Sequence, residues 1–251
     1  MTVADLTLRA VRGGRSAGVP WYARTLRAAC RSSPPVFGAA WYGDRYRMLA
    51  TDPRWVAESL LHNAAKEAQG SRELWDLAGR AKDPEVAVAV RNHAVDESRH
   101  ARMYVAILDL AFPGALSPAG RYAVRGLAPR YGDRESPPRR APLTPRRLLD
   151  ALIQVNLGEI KTRVNQLLLT PILTAYAPRA SRRRLMRILQ ALLRDETRHV
   201  AYTAHFIEQA LAGGQHVFVM TTMRRRLALL NRITESEIGR APGHRRRRGR
   251  R

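Results

Sequence analysis

One pentad occurs twice in the chain, DESRH at Asp96–His100 and DETRH at Asp195–His199. Both copies contain Glu-x-x-His, and on a helix that spacing sets a carboxylate and an imidazole one turn apart on the same face. No other feature of the sequence restricts the fold as much. One Glu–His pair can hold a metal ion, and two pairs on two helices of one bundle can hold two. A dinuclear carboxylate centre also needs one Glu from each of two further helices. Glu67 lies 30 residues before Glu97, and Glu159 lies 37 before Glu196. Each interval fits a helical hairpin.

The chain has 11 Glu and 7 His in 251 residues, so roughly 0.3 Glu-x-x-His matches are expected by chance and one copy would carry little weight. Two near-identical copies, each with a Glu one hairpin upstream, carry far more. The competing reading is a pair of salt-bridged surface runs on charged helices.

The remaining signals place four long helices around these residues. Asp52-Pro53 is an N-cap followed by Pro at the first helical position. From there Val56, Leu60, Asn63, Glu67, Leu74 and Ala78 keep helical spacing, so Glu67 faces inward while Glu58 and Glu73 do not. Asp83-Pro84 repeats the start signal, and Val86, Val90, His93, Glu97, His100, Tyr104 and Ile107 form the second stripe, ended by Phe112-Pro113-Gly114. Residues 112–144 are rich in Pro, Gly and Arg. A structureless stretch of that length argues against a compact domain, unless the topology needs one long crossover between two hairpins. Thr144-Pro145 opens the third helix, with Asn156, Glu159, Arg163 and Gln166 on one face and Pro171 predicting a kink near its end. The fourth carries Leu185, Leu192, Glu196, His199, Thr203 and Ile207 inward and stops at Gly213-Gly214.

The expected organisation is therefore all-α: residues 1–50 a basic segment with a short helix near 20–31, 51–213 the four-helix bundle, 214–239 an accessory fifth helix. Residues 240–251 are expected to be a disordered Arg-rich tail. The first fifteen residues read equally well as a loose basic arm. The net charge of +23 rests almost wholly on Arg, since only Lys66, Lys82 and Lys161 are lysines. A field this positive attracts acidic partners: nucleic acid, an acidic carrier protein or an anionic substrate. Genomic base composition explains widespread Arg as well, so nucleic acid is not favoured. A lone cysteine, Cys30, excludes an internal disulfide and cysteine-only metal sites. No apolar run approaches a membrane span and no signal-peptide core is present, so the expected compartment is the cytoplasm.

The pattern Glu…Glu-x-x-His, Glu…Glu-x-x-His resembles the ferritin-like diiron carboxylate superfamily, which includes ribonucleotide reductase small subunits, acyl-carrier-protein desaturases, rubrerythrins, and N- and C-oxygenases. The stretch DETRHVAYT, Asp195–Thr203, is similar to the last metal helix of the desaturases. The likeness is confined to the four metal helices. It implies a ferritin-like four-helix bundle with a long crossover between helices 2 and 3. It also implies two iron ions (Mn/Fe being the alternative pairing), held by Glu67, Glu97, His100, Glu159, Glu196 and His199, with Glu97 and Glu196 bridging. Carboxylate and imidazole ligands without thiolate suit iron or manganese. Such a chain would act as a nonhaem diiron oxidase or oxygenase with O2, an organic substrate and an external electron donor such as a ferredoxin. Hydroxylation, desaturation, N-oxygenation and C–C cleavage are all open, as is a carrier-bound substrate, and a dimer is compatible. The alternatives are a ferritin- or rubrerythrin-like iron- or peroxide-handling protein and a tRNA-modifying diiron hydroxylase.

Four further residues are expected close behind the ligands. Asp96 and Asp195 are placed to accept the second imidazole N–H of a His on a neighbouring helix, or to pair with Arg99 and Arg198. His93 sits one turn before Glu97. The resemblance offers a third histidine of this kind in arylamine N-oxygenases, but on the last metal helix, where this chain has Leu192; the expectation for His93 is a buried, hydrogen-bonded residue. Tyr104 occupies the place of the reductase radical tyrosine, with a plain core role as the alternative. Monooxygenases carry Thr one turn beyond the third-helix Glu, where this chain has Arg163; an inward Arg163 would pair with a substrate anion. Gly70 and Gly158, beside Glu67 and Glu159, suggest either space near the metals or close helix packing. With inward Asn63 and Asn156 they point to a partly polar pocket.

Overall fold

The computed structural model describes residues 1–12, 18–132, 135–138 and 140–239. The tail from Arg240 lies outside the described residues. Nine α-helices and one 3-10 turn, without a strand, are found among them: α1 Val3–Arg12, α2 Pro20–Ser32, the turn Val36–Gly38, α3 Ala40–Leu49, α4 Pro53–Arg80, α5 Pro84–Ala111, α6 Pro118–Arg125, α7 Pro145–Tyr176, α8 Arg179–Ala212 and α9 His216–Ile238.

The starts of the long helices follow from local chemistry. Asp52 accepts from the Arg54 N–H, Asp83 from those of Glu85 and Val86, and Thr144 from that of Arg147. Each satisfies donors that have no partner within the first turn. In each case Pro follows, where its missing N–H is no loss. Gly114 (φ +86°) and Gly214 (φ +85°) turn the chain just past α5 and α8, in a backbone region that side chains rarely adopt. α7 runs on through Pro171 to Tyr176.

The layout is two helical hairpins, α4/α5 and α7/α8, packed face to face mainly through α5 and α8. Val56, Leu60, Ile107, Leu108, Ile153, Leu157, Leu185, Leu192 and Ile207 fill the interface and are essentially water-free. At roughly 2 kcal/mol for each large apolar side chain removed from water, this core holds the polar centre of the hairpins in register.

In the first fifty residues the helix expected near 20–31 is α2, and α1 and α3 are added where an arm and a loop were expected. α1 presents Ala4, Leu8 and Val11 at helical spacing, all buried, and packs with α2 on α8. α2 has no cap of its own; the Glu208 carboxylate of α8 accepts the backbone N–H groups of Trp21 and Tyr22 at 3.2 and 2.6 Å. α9 holds the 3-10 turn through Asn231, whose side chain accepts from Val36 N and donates to Pro34 O. The crossover is not wholly structureless: Ser117 caps α6 in its middle.

Candidate metal centre

Glu67 comes from α4, His93, Glu97 and His100 from α5, Glu159 from α7, Glu196 and His199 from α8. Their stripes face one another at the hairpin interface. Ligand atoms of His93, Glu97, Glu159 and His199 lie within 4.8 Å of one another, and so do those of Glu67, Glu97 and His100. Five of the six expected ligands fall in these two groups; Glu196 is in neither, with its carboxylate 3.4 Å from His100 Nδ1 and 3.9 Å from His199 Nδ1. The structure adds His93 as a seventh: its Nε2 is 3.1 Å from Glu97 and 3.4 Å from Glu159, and its ring stacks on His199 at 3.6 Å. His93 is buried and hydrogen-bonded, as expected. Its distance to Glu159, on another helix, is invisible to spacing along one.

The two pentads cross-brace each other. His100 Nε2 meets Asp195 Oδ2 at 3.2 Å, and His199 Nε2 meets Asp96 Oδ2 at 3.2 Å. Each Asp thus serves the histidine of the opposite pentad and fixes its ring, with Nε2 on the aspartate and Nδ1 turned inward. The salt-bridge reading holds at the same time. Arg99 contacts Asp96 and Asp195, both at 2.7 Å, and Arg198 contacts them at 2.7 and 2.9 Å. Burial alone would raise Asp96, but hydrogen bonds from His199 and Arg198 outweigh it and bring the carboxyl down to about 2.

The inward atoms are those a cation would use. Among the described residues, buried His100 Nδ1, His199 Nδ1 and Glu196 Oε2 have no hydrogen-bond partner, although such groups are nearly always paired. His100 Nδ1 lies 3.3 Å from Glu97 and 3.4 Å from Glu196; His199 Nδ1 lies 3.4 and 3.9 Å from the same two carboxylates. Glu97 and Glu196 therefore each face both imidazoles. Gln166, two turns beyond Glu159, donates to Glu196 Oε1 at 3.1 Å. Tyr202, three residues after His199, places its hydroxyl 2.9 Å from His93 Nδ1. Tyr202 was not singled out by the sequence, though its i+3 relation to His199 was a signal.

Four carboxylates this close cannot all be ionised without a cation. Burial and the neighbouring Glu97 charge raise Glu67, and burial and Glu159 raise Glu196, both well above the ordinary range. Glu97 goes the other way: burial opposes ionisation, but Glu67, His100 and His93 close beside it favour the carboxylate and outweigh burial. His199 is also disfavoured as a cation by burial, but Asp96 and Glu159 lift it to about 9. Protons on these groups balance charge that a bound cation would otherwise balance, and the donors could hold a metal ion.

A pH dependence follows. His199 has a folded value above its ordinary 6.5, so its contribution to stability is complete below 6.5 and is lost as pH rises through about 9. The raised Glu67 and Glu196 act in the same direction from 4.5 upward. The metal-free chain should lose about 5 °C or more in Tm between pH 6.5 and 9, whereas metal affinity should rise over that interval because binding displaces protons. Calorimetry with and without Co(II) across this range checks both; a metal-free Tm that rises with pH would contradict the assignment.

A cavity of about 750 Å³ opens onto Glu67, Glu97 and Glu159 between α4 and α7. Tyr42, Tyr46, Trp55, Leu74 and Val155 contribute apolar wall, and Tyr104, Asn63 and Thr162 also line it. Tyr104 is buried, and burial together with Glu67 and Glu196 pushes its hydroxyl well up. Gly70 and Gly158 line the same space, and a Cβ at either would meet nothing within 4 Å. Space, not close packing, explains both glycines. One expectation is corrected, and one open alternative is decided. Asn156 lies outside the cavity, bonded to Tyr22, Thr203 and Val200 O, because its face of α7 meets α2 and α8. Arg163 also stays out, its Nε donating to Thr197 of α8 at 3.1 Å.

Among the described residues, no helix is long and apolar enough to cross a membrane. Compared with known proteins, the chain matches no family model, no curated protein and no solved structure.

Proposed function

We propose that the chain is a ferritin-like nonhaem diiron oxidase or oxygenase that uses O2 to oxidise an organic substrate held in the α4/α7 cavity. The observation that carries this reading is the pair of partnerless imidazole nitrogens, His100 Nδ1 and His199 Nδ1, each aimed at both Glu97 and Glu196. Glu97 and Glu196 stand where carboxylates shared between two ions would stand. Glu67 with His100 and Glu159 with His199 would complete the two sides, and His93 would join the Glu159 side. Four ionised carboxylates neutralise two divalent cations, which favours two ions over one.

Two ferrous ions held there would supply electrons to dioxygen, with an external donor restoring them. The protein's own part is positioning. Asp96 and Asp195 hold the proton on each Nε2, and Arg99 and Arg198 keep those aspartates ionised. Gln166 fixes the Glu196 carboxylate. The apolar wall formed by Tyr46, Trp55 and Leu74 keeps water from the substrate side and orients an organic molecule against Glu67, Glu97 and Glu159. A cavity with aromatic and aliphatic wall beside the cluster suits an organic molecule, and this favours an organic substrate over the iron-handling alternative.

The test is metal per chain after anaerobic Fe(II) loading and desalting, followed by O2 consumption. About two irons per chain are expected from the ligand count. Far more than two would transfer the assignment to iron storage, and none would end the diiron reading.

A further inference from the structure

The chain uses Arg for all but three of its 44 basic residues. Of the three lysines, Lys82 is exposed in the turn between α4 and α5. The other two, Lys66 and Lys161, line the cavity that reaches the metal-ligand cluster. Both point at one acid. Lys161 Nζ lies 2.6 Å from Glu237 Oε2, and the Lys66 ammonium bonds the other oxygen, Oε1. Glu58 also lines the cavity, yet both ammonium groups choose Glu237. Lys161 is only 8% exposed, so its charge has been taken out of water for this contact.

A second ionic contact between α7 and α9 shows what a structural tie looks like in this protein. Asp150 of α7 is gripped by Arg225 and Arg226 of α9, through four bonds of 2.7–3.1 Å. Guanidinium forks of that kind lock geometry. The Lys66–Glu237–Lys161 contact differs in its donors and in its place. It uses point charges on flexible stems, which change partners readily. Like the Asp150 contact it sets two cations on one anion, but here both cations and the anion line the cavity. Its acid is the penultimate residue of α9, just before Gly239 leaves the helix at φ +88°. The Asp150 lock is about three turns upstream, and the last turn of α9 is held separately, with Arg45 Nε donating to Ile238 O at 3.1 Å.

We infer that Lys66 and Lys161 form the subsite for a carboxylate on the substrate, and that Glu237 is the resident carboxylate that such a substrate displaces. One lysine takes each oxygen of the Glu237 carboxylate, and this is the arrangement an incoming carboxylate inherits. The neighbours in sequence, Glu67 and Glu159, belong to the metal-ligand cluster, so an organic acid anchored at the lysines extends its carbon chain along the cavity toward that cluster. This inference rests on the reading of the cavity as the substrate site.

The test uses the full-length, metal-free chain and straight-chain probes, hexanoate and decanoate, each beside its uncharged amide. Binding is measured by saturation-transfer NMR and titration calorimetry. Glu237→Gln removes the competitor and should tighten carboxylate binding about tenfold, leaving the amides unchanged. Lys161→Gln and Lys66→Gln should each abolish the preference for carboxylate over amide. Iron uptake and circular dichroism of each variant establish that it has folded. If Glu237→Gln binds neither carboxylate, or binds acid and amide alike, the inference is overturned. It is equally overturned if either lysine variant keeps the wild-type preference, or if Glu237→Gln lowers Tm without strengthening carboxylate binding, the result for a plain helix tie. Probe binding needs neither metal nor O2. A chain that takes up no iron but prefers carboxylates would therefore lose the diiron reading and keep this one, and the converse result would do the opposite.

Discussion

Glu196→Gln should reduce iron uptake from about two per chain to one or none, while raising the Tm of the metal-free protein at pH 8. Most substitutions at fully buried positions destabilise, so a gain here would be diagnostic. The reasoning starts from protonation. Burial and Glu159 hold the Glu196 carboxyl well above its ordinary range, so without metal the neutral acid is favoured and each step toward ionisation as pH rises costs free energy. The side chain accepts from Gln166 through Oε1, while Oε2 has no partner among the described residues. Glutamine copies that neutral acid in size, keeps the acceptor for Gln166, and cannot ionise as pH rises. The strain among Glu67, Glu97, Glu159 and Glu196 is thereby relieved, with a gain on the order of 1 kcal/mol, the scale of one buried polar group better satisfied. A cation needs the carboxylate that glutamine lacks. Inductively coupled plasma analysis of the loaded protein and a thermal melt of the metal-free protein read the two effects independently. Retention of two irons would remove Glu196 from the site; a lower metal-free Tm would mean that the site is not under charge strain.

Much of this arrangement is legible in the sequence because it is encoded locally. Asp-Pro and Thr-Pro pairs mark the starts of α4, α5 and α7, and Glu-x-x-His marks two faces that must be buried together. The Asp of each pentad is one step off the ligand stripe, which directs it to the neighbouring helix. The rest depends on docking between elements far apart in the chain. Lys66, Lys161 and Glu237 meet only because the last turn of α9 lies over α4 and α7, and no periodicity in α9 encodes that contact. His93 is inward by spacing, but only the α5–α7 distance brings it to Glu159. Of the helices in the first fifty residues, the one near 20–31 is legible and is α2, while α1 and α3 were masked by composition. Arg, Gly and Pro obscure the stripe of Ala4, Leu8 and Val11, and the cap for α2 is Glu208, nearly two hundred residues away. In the crossover, Ser117-Pro118 carried the same start signal as the long helices, but α6 spans only eight residues and has no long apolar stripe to announce it.

The two cavity glycines give a prediction in which stability and binding separate. A glycine inside a helix costs about 1 kcal/mol relative to alanine, and both Gly70 and Gly158 sit well within long helices. A Cβ at either position would touch nothing within 4 Å, so no steric penalty offsets that gain. Gly70→Ala and Gly158→Ala should therefore each stabilise the protein by about 0.5–1 kcal/mol, or roughly 2–4 °C in Tm. Iron uptake should be unchanged, because neither residue supplies a ligand. The same empty space gives the opposite result for a large side chain. A ring at position 158 would occupy the cavity beside Glu159, so Gly158→Phe should bind uncharged decanamide at least a hundredfold more weakly than wild type, in line with a pocket that depends on enclosing its ligand. Decanamide carries no carboxylate, so this measurement does not depend on the lysine subsite. If Gly158→Phe bound it normally, the ligand would lie elsewhere, and the cavity would lose its claim to the substrate. If the alanine variants melted lower than wild type, these positions would be packed after all, and the glycines would be explained by helix contact. Stabilisation by Ala together with exclusion by Phe is expected only if both glycines leave room at the metal-ligand cluster for a molecule that the protein must admit.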